Sequence, residues 1–242
     1  MSSTGDAIGT FTSESRTFEP SAEFRQRSRI PSREAYEKLY RESIDSPDTF
    51  WQRETAELVF RTPWKKLLDW KLPHARWFVG SQLNVTESCL DRHLSTATRE
   101  KAAIIWESEP GEVRRLSYAE LHDQVVRFAA ALRSLGVNKG DRVAIYMGMV
   151  PETVAAMLAC ARIGAPHSVV FGGFTAASLR DRIEDAGAVM LITADGGFRG
   201  GKIVELKEAA DKALSQGCKS IRSVIVLKRT AHDVPMKYGR DI

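Results

Sequence analysis

The chain has 242 residues, 43% of them hydrophobic, which is enough for a substantial buried core and too much for a disordered polymer. Its formal charge of +4 comes from 35 basic and 31 acidic residues spread along the sequence, and basic residues without clustering make a solvated surface rather than a nucleic-acid face. Cys89, Cys160 and Cys218 are isolated from one another and no two histidines stand at i, i+4, so neither a disulfide framework nor a structural metal site is expected and a reducing cytoplasm is the default compartment.

The N-terminus lacks a basic stretch followed by an apolar one, and no apolar run has bilayer length, so secretion and membrane insertion are not expected. Residues 1–31 are rich in Ser, Thr, Glu and Arg and are expected to form a mobile leader. Ser32 then caps a helix with Tyr36, Leu39 and Tyr40 on one face, and Ser46-Pro47-Asp48 opens a second carrying Phe50 and Trp51; the pair is expected to dock by its aromatic face. From Arg61 to Ser88 regular spacing disappears while Trp64, Trp70, Trp77 and Phe78 recur, which reads as an irregular segment anchored by aromatic rings over the following domain. Leu90, His93, Leu94 and Ala97 suggest a further helix; Asp91 and His93, two apart, do not face each other and make a poor catalytic pair.

Ala102 to Trp106 and Val113 to Leu116 flank the turn signal Glu109-Pro110-Gly111-Glu112 and predict a hairpin. Ser117 and Glu120 form a capping box for a helix whose stripe of Leu121, Val125, Phe128, Ala129, Leu132 and Leu135 is core. Four apolar runs follow, near 142–147, 167–171, 188–193 and 223–227, separated by helical patterns: Val154, Met157, Leu158 and Ala161; Leu179, Ile183 and Ala186; Leu206, Ala210, Ala213 and Leu214. Strands alternating with crossover helices imply a parallel sheet covered on both faces, so the expected class is α/β, an N-terminal helical and irregular module leading into a doubly wound sheet.

Two glycine-rich turns lie in this array, Phe171-Gly172-Gly173-Phe174 and Gly196 to Lys202, each expected where a strand hands over to a helix. The second has GxxxxGK spacing but carries Ile203 where a magnesium-binding hydroxyl belongs, which argues against a P-loop. What remains is a helix start with free N–H groups beside Arg199 and Lys202, a candidate phosphate site; a plain glycine turn with two solvated cations is the equal alternative. The first turn admits either a tight bend or close approach of backbone to a flat ring.

The runs Ser88-Cys-Leu-Asp-Arg-His93, Lys139-Gly-Asp-Arg-Val-Ala-Ile-Tyr-Met147, Met157 to Ala165, His167-Ser-Val-Val-Phe-Gly-Gly-Phe174 and Arg199-Gly-Gly-Lys202 closely resemble the AMP-forming acetyl-CoA synthetases, with likeness from about Tyr36 to the C-terminus. The resemblance implies an N-terminal module over 32–92 and the N-terminal, incomplete part of an adenylate-forming domain over 93–242. It implies small-molecule substrates, acetate, ATP and coenzyme A, with Mg2+, and leaves oligomeric state open. Residues Arg199, Gly200, Gly201 and Lys202 would contact the 3′-phosphate ADP part of coenzyme A, with Phe171, Gly172, Gly173 and Val204 near its adenine. Gly80-Ser-Gln-Leu-Asn84 and Glu87-Ser88 depart from the family pattern outside that loop. The ATP phosphate loop, the hinge aspartate and the lid with its catalytic lysine are expected downstream of Ile242, so this segment would supply scaffold and part of the coenzyme A site. Related propionyl-CoA synthetases share several motifs, but Arg-Gly-Gly-Lys favours acetate; a coenzyme A or nucleotide binding module without catalysis is the reading from another class.

Overall fold

The computed structural model describes residues 17–242, and the first part of the expected leader lies outside them. By internal contacts the chain divides between Ala56 and Glu57. In the N-terminal unit, Ser21 accepts the Phe24 N–H and caps the short α1 (Ala22–Arg27), and Ser32 accepts the Ala35 N–H and caps α2 (Arg33–Asp45). α3 (Pro47–Glu54) has its proline in the first turn, where no donor is lost. Arg53 on α3 donates to Glu42 on α2 at 3.0 Å, joining the two helices, and the rings of Phe50 and Trp51 meet edge to face at 5.2 Å.

The second unit opens with a correction. Residues 60–83 are not irregular: they form β1 (Phe60–Thr62), β2 (Lys66–Lys71), β3 (His74–Val79) and β4 (Gln82–Leu83), with β2 and β3 paired as an antiparallel hairpin and β1 paired with β4. Phe60, Trp64 and Phe78 pack on one another with centroids 5.0 to 5.7 Å apart, a small aromatic cluster of the segment's own, while Trp70 is 60% exposed. The helix expected around 90–97 is also broken. α4 (Val85–Cys89) ends at Leu90, whose φ of −125° and ψ of −65° leave the helical region, and two single 3-10 turns follow.

β5 (Ala102–Glu107) and β6 (Val113–Ser117) form the predicted hairpin, and Ser117 and Glu120 exchange both hydrogen bonds of the capping box that starts α5 (Tyr118–Ser134). From there the chain alternates: β7 (Val143–Met147), α6 (Pro151–Ile163), β8 (His167–Phe171), α7 (Ala176–Ala186), β9 (Met190–Ala194), a small hairpin of β10 (Gly197–Arg199) and β11 (Lys202–Val204), α8 (Leu206–Ser215) and β12 (Ser223–Leu227). β7, β8, β9 and β12 make one sheet in the order β12-β9-β7-β8, every pairing parallel.

The period of two along a strand sends alternate side chains to opposite faces. Val143, Ile145 and Met147 of β7 join Met190 and Ile192 of β9 under α5 and α6. Ala144 and Tyr146 join Val170, Leu191 and Val224 under α7 and α8. The sheet is thus wound on both faces as its apolar strands imply. On α6 the fully buried stripe is Ala155, Ala156, Ala159 and Cys160, while Met157 and Leu158 are only partly buried against the same core; small side chains let α6 lie close to α5 and the sheet, and Val154 is left 37% exposed. α6 and α7 end in glycines, Gly164 and Gly187, with left-handed φ of 73° and 56°. Among the described residues no helix is long and apolar enough to cross a membrane.

Two buried charges fasten the far edge of the sheet. Lys207 at the start of α8 has no exposed surface; its ammonium donates to Asp211 at 2.6 Å and to the Pro235 carbonyl at 2.8 Å and lies 2.9 Å from Asp241. Burial pushes the Asp241 carboxyl up, but Arg240, the Lys237 N–H and Lys207 outweigh it and hold its pKa at about 2. The segment carrying Asp241 runs beside β12, with Val224 donating to the Arg240 carbonyl and Ile242 donating to that of Val224.

At the end of β9, Asp195 is 2% exposed, and its carboxylate accepts from the N–H groups of Gly196 at 2.6 Å, Arg229 at 2.8 Å, Thr230 at 2.9 Å and Ala231 at 2.7 Å. Burial raises this carboxyl's pKa, and the four donors, Thr230 foremost, more than reverse it, so the folded pKa lies below the usual carboxylate range. A depressed pKa contributes stability that is present above the unfolded value of about 4 and is lost as pH falls through the folded value. Asp195→Asn turns one acceptor into a donor facing N–H groups; it is expected to cost about 2 kcal/mol at pH 7, with the gap to wild type narrowing below about pH 4 in urea titrations.

Candidate functional site

The carboxyl ends of β7, β8 and β9 open onto a cavity of about 540 Å³. Its floor is the loop after β7, Met147 to Val150, with the first glycine turn after β8. One wall is the β5–β6 tip, with Trp106 and Glu109; the opposite wall is the β10–β11 hairpin, with Phe198, Arg199 and Val204, and Arg229 closes the gap between them. Carboxyl ends of parallel strands are where open α/β sheets take ligands, because loops there vary freely above a rigid scaffold.

The first turn is held from below. Tyr146 is 1% exposed, and its hydroxyl donates to the Phe174 carbonyl at 2.8 Å with the Gly172 carbonyl at 3.4 Å. Burial pushes the phenol pKa up, so it stays a neutral donor. A Cβ on Gly172 would stand 3.1 Å from the Met147 carbonyl oxygen, a close approach of backbone to backbone. A Cβ on Gly173 would instead stand 2.6 Å from the Phe171 ring and 2.7 Å from Nη1 of Arg199. Gly173 therefore keeps open the space in which the guanidinium lies over the ring, at 5.5 Å from its centroid. Phe171 is 54% exposed, a flat apolar platform beside a cation.

The second glycine turn departs from expectation. No helix starts at Gly201: Gly200 and Gly201, with φ of 60° and 70°, are the two central residues of a tight β-hairpin turn, and α8 begins only at Leu206. Positive φ at both central residues is the signature of the turn whose twist suits a two-residue hairpin. Arg199 and Lys202 are cross-strand partners at its base. Neither has an ion-pair partner among the described residues, whereas the N–H groups of Gly200 and Gly201 donate to the Glu109 carboxylate at 3.0 and 2.5 Å. The free helix-start donors read from the spacing do not exist here.

Of the candidate residues, the fold brings Arg199, Phe171, Gly172, Gly173 and Val204 to the cavity lining, while Gly200, Gly201 and Lys202 lie at the hairpin tip outside it. Among the lining residues that the sequence reading did not give as site residues, three make contacts that shape the pocket. Trp106 donates its indole N–H to the Met149 carbonyl at 2.7 Å; Arg229 lies 4.9 Å from the Trp106 ring and 5.2 Å from that of Phe198, and pairs with Glu112 at 3.1 Å. Glu109 showed only as part of a turn signal. Each gains its role from contacts distant in sequence, for which spacing carries no signal.

Elsewhere, Asp91 pairs with Arg162 at 2.9 Å and with His122 at 3.2 Å, and His93 packs edge to face on Tyr118. His93 is thus a packed side chain and not half of a catalytic pair with Asp91. Among the described residues no group of three or more His, Cys, Asp or Glu could hold a metal ion. What the pocket presents is an exposed aromatic ring, Phe171, beside the guanidinium of Arg199.

A doubly wound parallel α/β domain with a pocket at the carboxyl ends of its strands is the class that this sheet defines. The AMP-binding enzyme family matches residues 90–239, and the chain belongs to it. Residues 36–89 match the acetyl-coenzyme A synthetase N-terminus. The acetyl-coenzyme A synthetase of Pasteurella multocida is 50% identical over 95% of this chain and 35% of its own length, and that of Deinococcus radiodurans is 47% identical over 100% of this chain and 37% of its own. Acetoacetyl-CoA synthetase from Streptomyces lividans superposes with a TM-score of 0.78 at 33% identity, covering 91% of this chain and 34% of that one. The chain thus spans about a third of the length of the relatives it matches.

The two glycines of the first turn separate by experiment. Gly173→Ala meets side chains alone, the Phe171 ring and the end of Arg199, and should lower the melting midpoint less than Gly172→Ala, which meets backbone and should lower stability by about 1 kcal/mol. Thermal melts of both variants check the pair.

Proposed function

We propose that the chain is the N-terminal part of an AMP-forming acetate–CoA ligase. In that reaction acetate and ATP give acetyl-AMP and pyrophosphate, and the thiol of coenzyme A then displaces AMP to give acetyl-CoA. This part of the enzyme supplies the doubly wound scaffold and one side of the coenzyme A site. The observation that carries the reading is Arg199, a guanidinium without a carboxylate partner held over the exposed ring of Phe171 in the space that Gly173 leaves. A planar guanidinium binds a phosphate dianion through two parallel hydrogen bonds, and the platform beside it suits the adenine that carries the 3′-phosphate. Acetate as the acid rests on the names of the relatives at 47 and 50% identity. Lys202, on the same rung of the hairpin, adds positive potential. Three free cysteines, two of them buried, fit a reducing cytoplasm.

The test uses the enzyme that carries this chain. Arg199→Ala should raise KM for coenzyme A by about one to two orders of magnitude, the value of one charge-assisted phosphate contact. Dephospho-coenzyme A, which lacks the 3′-phosphate, should be penalised little, and KM for acetate in pyrophosphate exchange should not move because adenylation precedes coenzyme A entry. Equal weakening toward both forms of coenzyme A would refute the assignment.

A further inference from the structure

The hairpin that carries Arg199 is small. Each strand has three residues, the two central turn residues are glycines, and a Cβ on Gly200 or Gly201 would meet nothing within 4 Å. An isolated two-stranded hairpin is marginal in water, and glycine adds conformational freedom, so the direction of Arg199 needs a tie from outside. The tie is Glu109. Its two carboxylate oxygens accept one N–H each, Oε2 from Gly200 at 3.0 Å and Oε1 from Gly201 at 2.5 Å. Successive N–H groups at positive φ form a concave donor pair, and here a side-chain carboxylate fills it.

The anchor side is braced. Ser108 donates its N–H to the Glu112 carbonyl at 2.8 Å and accepts the Glu112 N–H on its hydroxyl at 2.9 Å, and Gly111 donates to the Ser108 carbonyl at 2.9 Å. Arg229 links the same two elements a second time, paired with Glu112 and lying over Phe198. We propose that Glu109 is a positioning residue for coenzyme A: by clamping the Gly200-Gly201 turn to the β5–β6 tip it fixes the guanidinium of Arg199 over Phe171. The proposal rests on the coenzyme A reading above. It also assigns the phosphate to side chains, since the glycine N–H groups are already taken and a carboxylate there repels a second anion.

Glu109→Gln keeps the shape and replaces one acceptor with an NH2 that faces an N–H. In the enzyme carrying this chain it should raise KM for coenzyme A roughly three- to tenfold, move KM for dephospho-coenzyme A less, and leave KM for acetate in place. On an Arg199→Ala background the same change should add nothing further, because the clamp acts through Arg199. Amide hydrogen exchange across 197–204 should quicken. An additive double variant, an unchanged KM for coenzyme A or unaltered exchange would overturn the clamp. A lowered KM would overturn it too, showing that the carboxylate occupies the place of the phosphate. A wild-type enzyme that does not distinguish coenzyme A from its dephospho form would instead overturn the coenzyme A assignment and the functional role with it, while faster exchange in Glu109→Gln would still establish that the carboxylate holds the turn.

Discussion

β7 is the strand on which the rest of the second unit depends. All five of its residues are buried, and it is hydrogen-bonded on both sides, to β8 and to β9. Alternate residues feed two separate cores, Val143, Ile145 and Met147 under α5 and α6, and Ala144 and Tyr146 under α7 and α8. A one-residue slip would exchange the two sets and place Tyr146 in a space shaped for aliphatic side chains. Register here is thus fixed by volume as well as by hydrogen bonds.

The same strand sets the geometry of the pocket. Tyr146 reaches from the second core to the carbonyls of the first glycine turn, and the Met147 carbonyl is the atom against which Gly172 is pressed. A buried hydrogen bond thus connects the packing under α7 and α8 to the platform of Phe171. The opposite wall is tied differently. Asp195 gathers the segment after β12 through main-chain donors, and that segment delivers Arg229 to the aromatic rings of Trp106 and Phe198. Rigid floor and braced walls leave Arg199 as a cation whose charge among the described residues is unspent.

The parallel array was legible because its signals are local. Continuous branched runs, a proline at the first turn of α6, glycines at its end and the capping box at Ser117 each act over a few residues. The helix α6 shows the limit: periodicity placed the helix, yet selected the face of larger side chains, whereas close packing buried the alanines. Residues 60–83 were missed because β2 and β3, though as long as the strands of the parallel sheet, are mostly exposed, and their aromatic rings lie in contacts among themselves rather than in alternation. In the site, glycine spacing pointed to a loop that does carry a pocket residue, Arg199, but to the wrong geometry. A glycine pair serves a helix start or a hairpin turn equally well by composition, and here the turn's N–H groups are taken by Glu109, some ninety residues earlier in the chain.

The burial of Lys207 bears on chemical reactivity. A lysine attacks an activated acyl group only as the free amine and only along an open approach. Lys207 has no open approach: its nitrogen is surrounded by oxygens of Asp211, Pro235 and Asp241, and no part of the residue is exposed. Its sequence neighbour Leu206 lines the pocket. Adventitious acylation at this lysine is therefore closed off in the folded state, and any acyl mark found on it would record a chain that had been open at the 235–241 segment when it was modified.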